Sequence, residues 1–142
     1  MFGAFSNHAT AAYRKAGIES QVDTASPHQL VLMLFDGALL AIASARNHMR
    51  QQQVPEKGKA VSNAIDIISN GLKAGLDPKN GGELAGRLDA LYDYMCTRLL
   101  HANLKNDEAA LKEVAGLLRE IKSAWEEIAD DPAVASRNKV AA

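Results

Sequence analysis

TASPHQLVLMLFDGALLAIASA, Thr24 to Ala45, decides how this chain folds. Ser26 is a good helix N-cap, and Pro27 stands in the first turn, where its missing N–H costs nothing. Gln29 follows Ser26 by three residues, the spacing of a capping box. A helix is therefore predicted from Ser26 to about Gln52. At 100° per residue, Val31, Phe35, Ala38, Ile42, Ala45 and Met49 form one core stripe. Leu30, Leu34 and Ala41 lie on one flank, Leu32 and Leu39 on the other, and Met33 and Leu40 lie behind. The segment is apolar on more sides than one helix of a small bundle can bury. Asp36 and Gly37 break the apolar run, which reads as too short to span a bilayer.

The rest of the chain extends the same pattern. Its 142 residues suffice for one domain with its own core. Pro27, Pro55, Pro78 and Pro132 mark the ends of long helical patterns, and no strand-like alternation lies between them. A second helix is predicted over about Lys57–Leu76, with Val61, Ala64, Ile65, Ile68 and Leu72 as its stripe. LDPKNGG, Leu76 to Gly82, is a turn by composition. A third helix is expected over about Gly82–Lys105, with stripe Leu84, Leu88, Leu91, Met95 and Ala102. Asp107 caps a fourth, with stripe Leu111, Val114, Leu118, Ile121, Trp125 and Ile128, and Pro132 ends it. Short connections between long helices predict an all-α, antiparallel up-down four-helix bundle over residues 26–131. Residues 1–25 read as an N-terminal arm and residues 132–142 as a flexible C-terminal tail.

Composition excludes several function classes. The net charge of −1 and the 5% aromatic content leave no basic, aromatic surface for nucleic acid. Between Asp107 and Asp131 eight acids stand against three bases, a solvated face or a surface that steers a basic partner. The one cysteine, Cys96, cannot form an internal disulfide, and no signal peptide is visible, so a cytoplasmic protein is expected. His8, His28, His48 and His101 show no metal-binding spacing, and no Glu-x-x-His motif is present. Neither a catalytic centre nor a metal or cofactor site is expected, and Cys96 reads as a small core residue.

Protein-binding surface remains. Ala60, Ile67, Gly71 and Ala74 form a strip of small residues around one Ile on helix 2, suited to close helix packing or to a groove for a partner helix. AAYRKAGIESQV, Ala11 to Val22, carries Tyr13, Ile18 and Val22 outside any long helix. Such an arm can cover an apolar groove as a lid or complete the core permanently. Tyr94 points off the Leu88/Leu91 stripe.

AYRKAGIESQVDTASPHQLVLMLFDGAL, NAIDIISNGLKAGLD, LDALYDYMCTRLLHANLKND and LLREIKSAW together resemble the flagellin-specific secretion chaperone family FliS, over about Ala12–Trp125. The resemblance implies a cytosolic four-helix bundle, without catalysis, that binds the disordered C-terminal segment of flagellin. Binding would prevent premature polymerisation and aid delivery to the type III export gate, and the flagellar anti-sigma factor is a further partner in some members. It also implies that an N-terminal segment, with a tyrosine matching Tyr13, occupies part of the client surface when no client is bound. The expected partner-binding residues are Tyr13 and Ile18 in the arm, and Ile67, Gly71, Ala74 and Tyr94, chosen by helical position. A monomer or weak homodimer is expected, and a homo-oligomeric structural or regulatory bundle is the alternative.

Overall fold

The computed structural model describes residues 25–128. They form four helices and no strand: α1 Pro27–Arg50, α2 Val54–Asp66 continuing as a π-helix over Ile67–Lys73, α3 Pro78–Lys105 and α4 Glu108–Glu127. α1 packs on α2 and α4, and α3 packs on α4 and α2, so the helices follow one another around an antiparallel square. The predicted arm, with Tyr13 and Ile18, and the predicted tail lie outside the described residues.

Local chemistry sets the helix starts. Ser26 Oγ accepts from the Gln29 backbone N–H at 3.2 Å, and Gln29 Oε1 accepts from the Ser26 N–H at 2.9 Å, a complete capping box. Asp107 caps α4 by accepting from the Ala110 N–H. α2 begins at Val54, ahead of the expected Lys57, because Pro55 in the first turn needs no hydrogen-bond acceptor. α3 begins at Pro78, with Asp77 accepting from the N–H groups of Lys79 and Asn80. That first turn breaks at Gly82, whose φ of 54° and ψ of −133° only glycine adopts freely. A Cβ on Gly81 would meet the Ala85 Cβ at 2.6 Å. The two glycines therefore serve a tight bend, and the long rod of α3 follows them.

The crowded α1 buries two adjoining faces. Val31, Phe35, Ala38, Ile42 and Ala45 are buried, and so are Leu30, Leu34 and Ala41 on the flank. A corner helix touching α2 on one side and α4 on the other needs a double-width apolar face. Leu32, Met33 and Leu39 are half-buried, and Leu40 remains 71% exposed. By length and composition alone Pro27–Arg50 could cross a membrane, contrary to the expectation of a run too short for that. Most of its apolar window is buried inside the bundle, as in the core helix of a soluble protein. Asp36 on its outer side pairs with Lys122 at 2.7 Å.

Two expected faces are corrected. On α3 the buried residues are Ala85, Tyr92, Met95, Leu99 and Ala102, with Leu88 and Leu91 half-buried against the core, whereas Leu84 is exposed. The true stripe starts one residue later than the leucine spacing suggested, and it takes in a tyrosine. On α2 the strip Ala60, Ile67, Gly71 and Ala74 is not one face. The Ala74 N–H donates to the carbonyl of Ser69, five residues back, the signature of a π-turn. Each residue there advances by less than 100°, so Ile67, Ile68, Gly71 and Leu72 all turn inward and are buried. A Cβ on Gly37 of α1 would lie 3.4 Å from Ile67 Cδ1, which shows how closely α1 approaches this segment.

Candidate client-binding surface

The seam between α2 and α3 is pinned at both ends. At one end the Lys57 ammonium, itself buried, donates to the Asn103 carbonyl at 2.9 Å and to Asn106 Oδ1. At the other, Lys73 Nζ lies 2.7 Å from Asp93 and 3.9 Å from Asp89. The two carboxylates raise the Lys73 pKa above its ordinary value, the hydrogen bond to Asp93 contributing most. These pins set an antiparallel register along the seam. Ile65 and Cys96 are half-buried and pack against the core. Burial, with Asp93 nearby, pushes the Cys96 thiol pKa up, which keeps it protonated and a poor nucleophile.

Outside the pins, α3 carries a second stripe. Gly86, Ala90, Asp93, Thr97, Leu100 and Leu104 recur at alternating spacings of four and three, and all are exposed. Leu100 is 60% exposed and Leu104 77%. A Cβ on Gly86 would meet nothing within 4 Å. The stripe is thus shallow at its Gly86 end and leucine-rich at the other, with one charge, Asp93, already paired. An exposed surface with helical periodicity and small residues suits an amphipathic segment laid along it.

The expected contact residues divide. Ala74 is exposed at the end of α2, beside this seam. Tyr94 leaves the core as expected, 44% exposed, but its hydroxyl donates to Glu113 Oε2 at 2.5 Å. Arg98 Nε donates to the other Glu113 oxygen at 2.7 Å. Both bonds hold the Glu113 carboxyl below the usual carboxylate range and tie Tyr94 to the α3–α4 side. Ile67, 1% exposed, and Gly71 are buried in the free protein. Sequence reading missed Leu100 and Leu104. The signal was there in LLHANLK: once Leu99 and Ala102 are assigned to the core, the neighbouring leucines must face outward.

Among the described residues no group of three or more His, Cys, Asp or Glu side chains could hold a metal ion. The ANLKND run is accounted for structurally. Asn103 and Asn106 receive Lys57, Asn106 ends α3 in the left-handed conformation at φ 51°, and Asp107 starts α4.

The sequence profile of the family described as "Flagellar protein FliS" matches residues 9–132. The flagellar secretion chaperone FliS of Salmonella typhimurium is 56% identical over 117 residues, covering 82% of this chain and 87% of that protein. The flagellar secretion chaperone FliSB of Pseudomonas aeruginosa is 49% identical over 116 residues, covering 82% and 91%. That of Escherichia coli is 49% identical over 118 residues, covering 83% and 87%. With most of its length matched at this identity and its four helices in place, the chain belongs to the FliS family of flagellar secretion chaperones.

Proposed function

We propose that this protein binds the disordered C-terminal segment of flagellin in the cytosol, holds it from polymerising, and presents it to the flagellar type III export gate. The role is binding, not catalysis. The observation that carries the reading is the exposed stripe of α3 from Gly86 to Leu104, in the setting of a flagellar secretion chaperone. A client that folds as it binds loses chain entropy, so it needs a long apolar track rather than one deep pocket. The stripe and the adjacent α2–α3 seam offer such a track. Tyr13 and Ile18 belong to the same proposed set of client contacts. The anti-sigma factor of late flagellar genes is a second candidate client.

Calorimetric titration with a C-terminal flagellin peptide tests the reading. Binding with a clearly negative heat-capacity change is expected. No heat of binding at concentrations on the order of 10 µM would overturn it.

A further inference from the structure

A cleft of about 290 Å³ opens where α1 passes into α2, lined by His48, Met49, Gln53, Val54, Lys57 and Asn106 among others. Its polar groups are bonded in one sense. Gln53 Oε1 lies 2.6 Å from His48 Nδ1 and, having only lone pairs, accepts from it. Asn106 Oδ1 and the Asn103 carbonyl accept from the Lys57 ammonium. The carboxamide oxygens of Gln53 and Asn106 and the Asn103 carbonyl are therefore each engaged, while donors are left over beside them. They are the third N–H of Lys57 and the side-chain NH₂ groups of Gln53 and Asn106.

The cleft also holds one buried cation. Lys57 is 4% exposed, both of its acceptors are neutral, and no carboxylate lies within ion-pair distance of it among the described residues. Gln53, the N-cap of α2, makes no side-chain capping bond, so the first N–H groups of that helix are uncapped near the ammonium, with Glu56 the acidic residue of the same turn. Val54 and Met49 supply an apolar lip.

We infer that this cleft binds a carboxylate, carried by the end of a peptide or by an acidic side chain. The bound group takes hydrogen bonds from Lys57 and the two carboxamides, and the residue carrying it rests on Val54 and Met49. This site is separate from the α3 stripe, and its existence does not depend on which client the stripe takes.

The test is a titration of the full chain followed by backbone-amide NMR, with three probes. N-acetyl-leucine carries a terminal carboxylate, the α-amide of N-acetyl-glutamate carries a side-chain carboxylate, and N-acetyl-leucinamide carries none. Saturable shifts centred on His48, Gln53, Val54 and Asn106 are expected with at least one carboxylate and not with the neutral amide. The carboxylate that binds tighter identifies the source. Lys57→Met should weaken binding about tenfold, the size of one charge-assisted hydrogen bond. Because Lys57 also holds the end of α3, Gln53→Asp is the second variant. It places an internal carboxylate at the α2 N-cap, and should abolish probe binding while raising the melting temperature. Unsaturable shifts with both carboxylates, equal shifts with the neutral amide, or undiminished binding to the Gln53→Asp variant would each overturn the inference.

Discussion

The indole of Trp125 stacks on the imidazole of His28 with ring centroids 4.7 Å apart and planes 9° from parallel, and its Nε1 donates to the His28 backbone carbonyl at 3.1 Å. This pair joins the C-terminal end of α4 to the first turn of α1. Trp125→Ala removes both the stack and the hydrogen bond and should cost about 2–3 kcal/mol, less than a fully buried tryptophan. Trp125→Phe keeps a stacking ring and should cost about 1 kcal/mol, the worth of the lost bond. Urea denaturation of the two variants checks the order. Equal losses would mean that the stack contributes nothing.

His28 also makes stability depend on pH. It is buried, and neither ring nitrogen has a hydrogen-bond partner among the described residues. Burial lowers its pKa below the ordinary 6.5. The unfolded chain therefore takes up a proton below about pH 6.5 while the folded protein does not, so stability falls as pH drops through that range. His28→Phe keeps an aromatic ring against Trp125 and removes two unsatisfied nitrogens. The variant should be at least as stable at neutral pH and should lack the loss just below pH 6.5. Melting curves from about pH 7.5 to 5 measure this, and an unchanged slope would exclude His28 as its source.

At the opposite end of the bundle, Glu108 of α4 takes Arg50 Nε at 2.5 Å and its terminal nitrogen at 2.9 Å, with Lys112 at 3.4 Å. The hydrogen bond from Arg50 is the main reason that the Glu108 pKa is lowered to about 2 from an ordinary 4.5. A depressed carboxyl stabilises the fold above its unfolded value. That contribution is present above about pH 4.5 and is lost as pH falls toward 2. Glu108→Gln should lower the melting temperature at pH 6, and the gap to the parent should narrow below about pH 4.5 and be largely gone by about pH 2. Molar salt should shrink the gap, because the pair is exposed to solvent. A gap constant across this range would show that the ion pair does not stabilise the fold.

What could be read from the sequence follows from how local each cause is. The starts of α1 and α4 were legible because Ser26, Gln29 and Asp107 act within one turn of themselves. The four-helix order was legible from the prolines and the short connections. The phase of α3 was harder, because leucines occur all round it and the core position between Leu88 and Met95 is a tyrosine, Tyr92. The inward turn of Ile67 and Gly71 was not legible, since a fixed 100° step does not anticipate the π-turn between Ser69 and Ala74. The candidate surface moved accordingly. Ala74 stayed at the surface, and the apolar exposure expected on α2 proved to lie mainly on α3, at Leu100 and Leu104.

Those two leucines separate binding from folding. Both are exposed in the free bundle, so Leu100→Ser and Leu104→Ser should change stability by no more than about 0.5 kcal/mol each. If flagellin covers the stripe, each loses apolar contact worth about 1–2 kcal/mol, or roughly tenfold in affinity per residue. Leu40→Ser is the control, since Leu40 is as exposed but lies on the outer face of α1. Calorimetry with the flagellin peptide should show weakened binding for the two α3 variants and parental binding for the control. Parental affinity in the Leu100/Leu104 double variant would remove the α3 stripe as the client track. A loss confined to Leu40→Ser would move the track to α1.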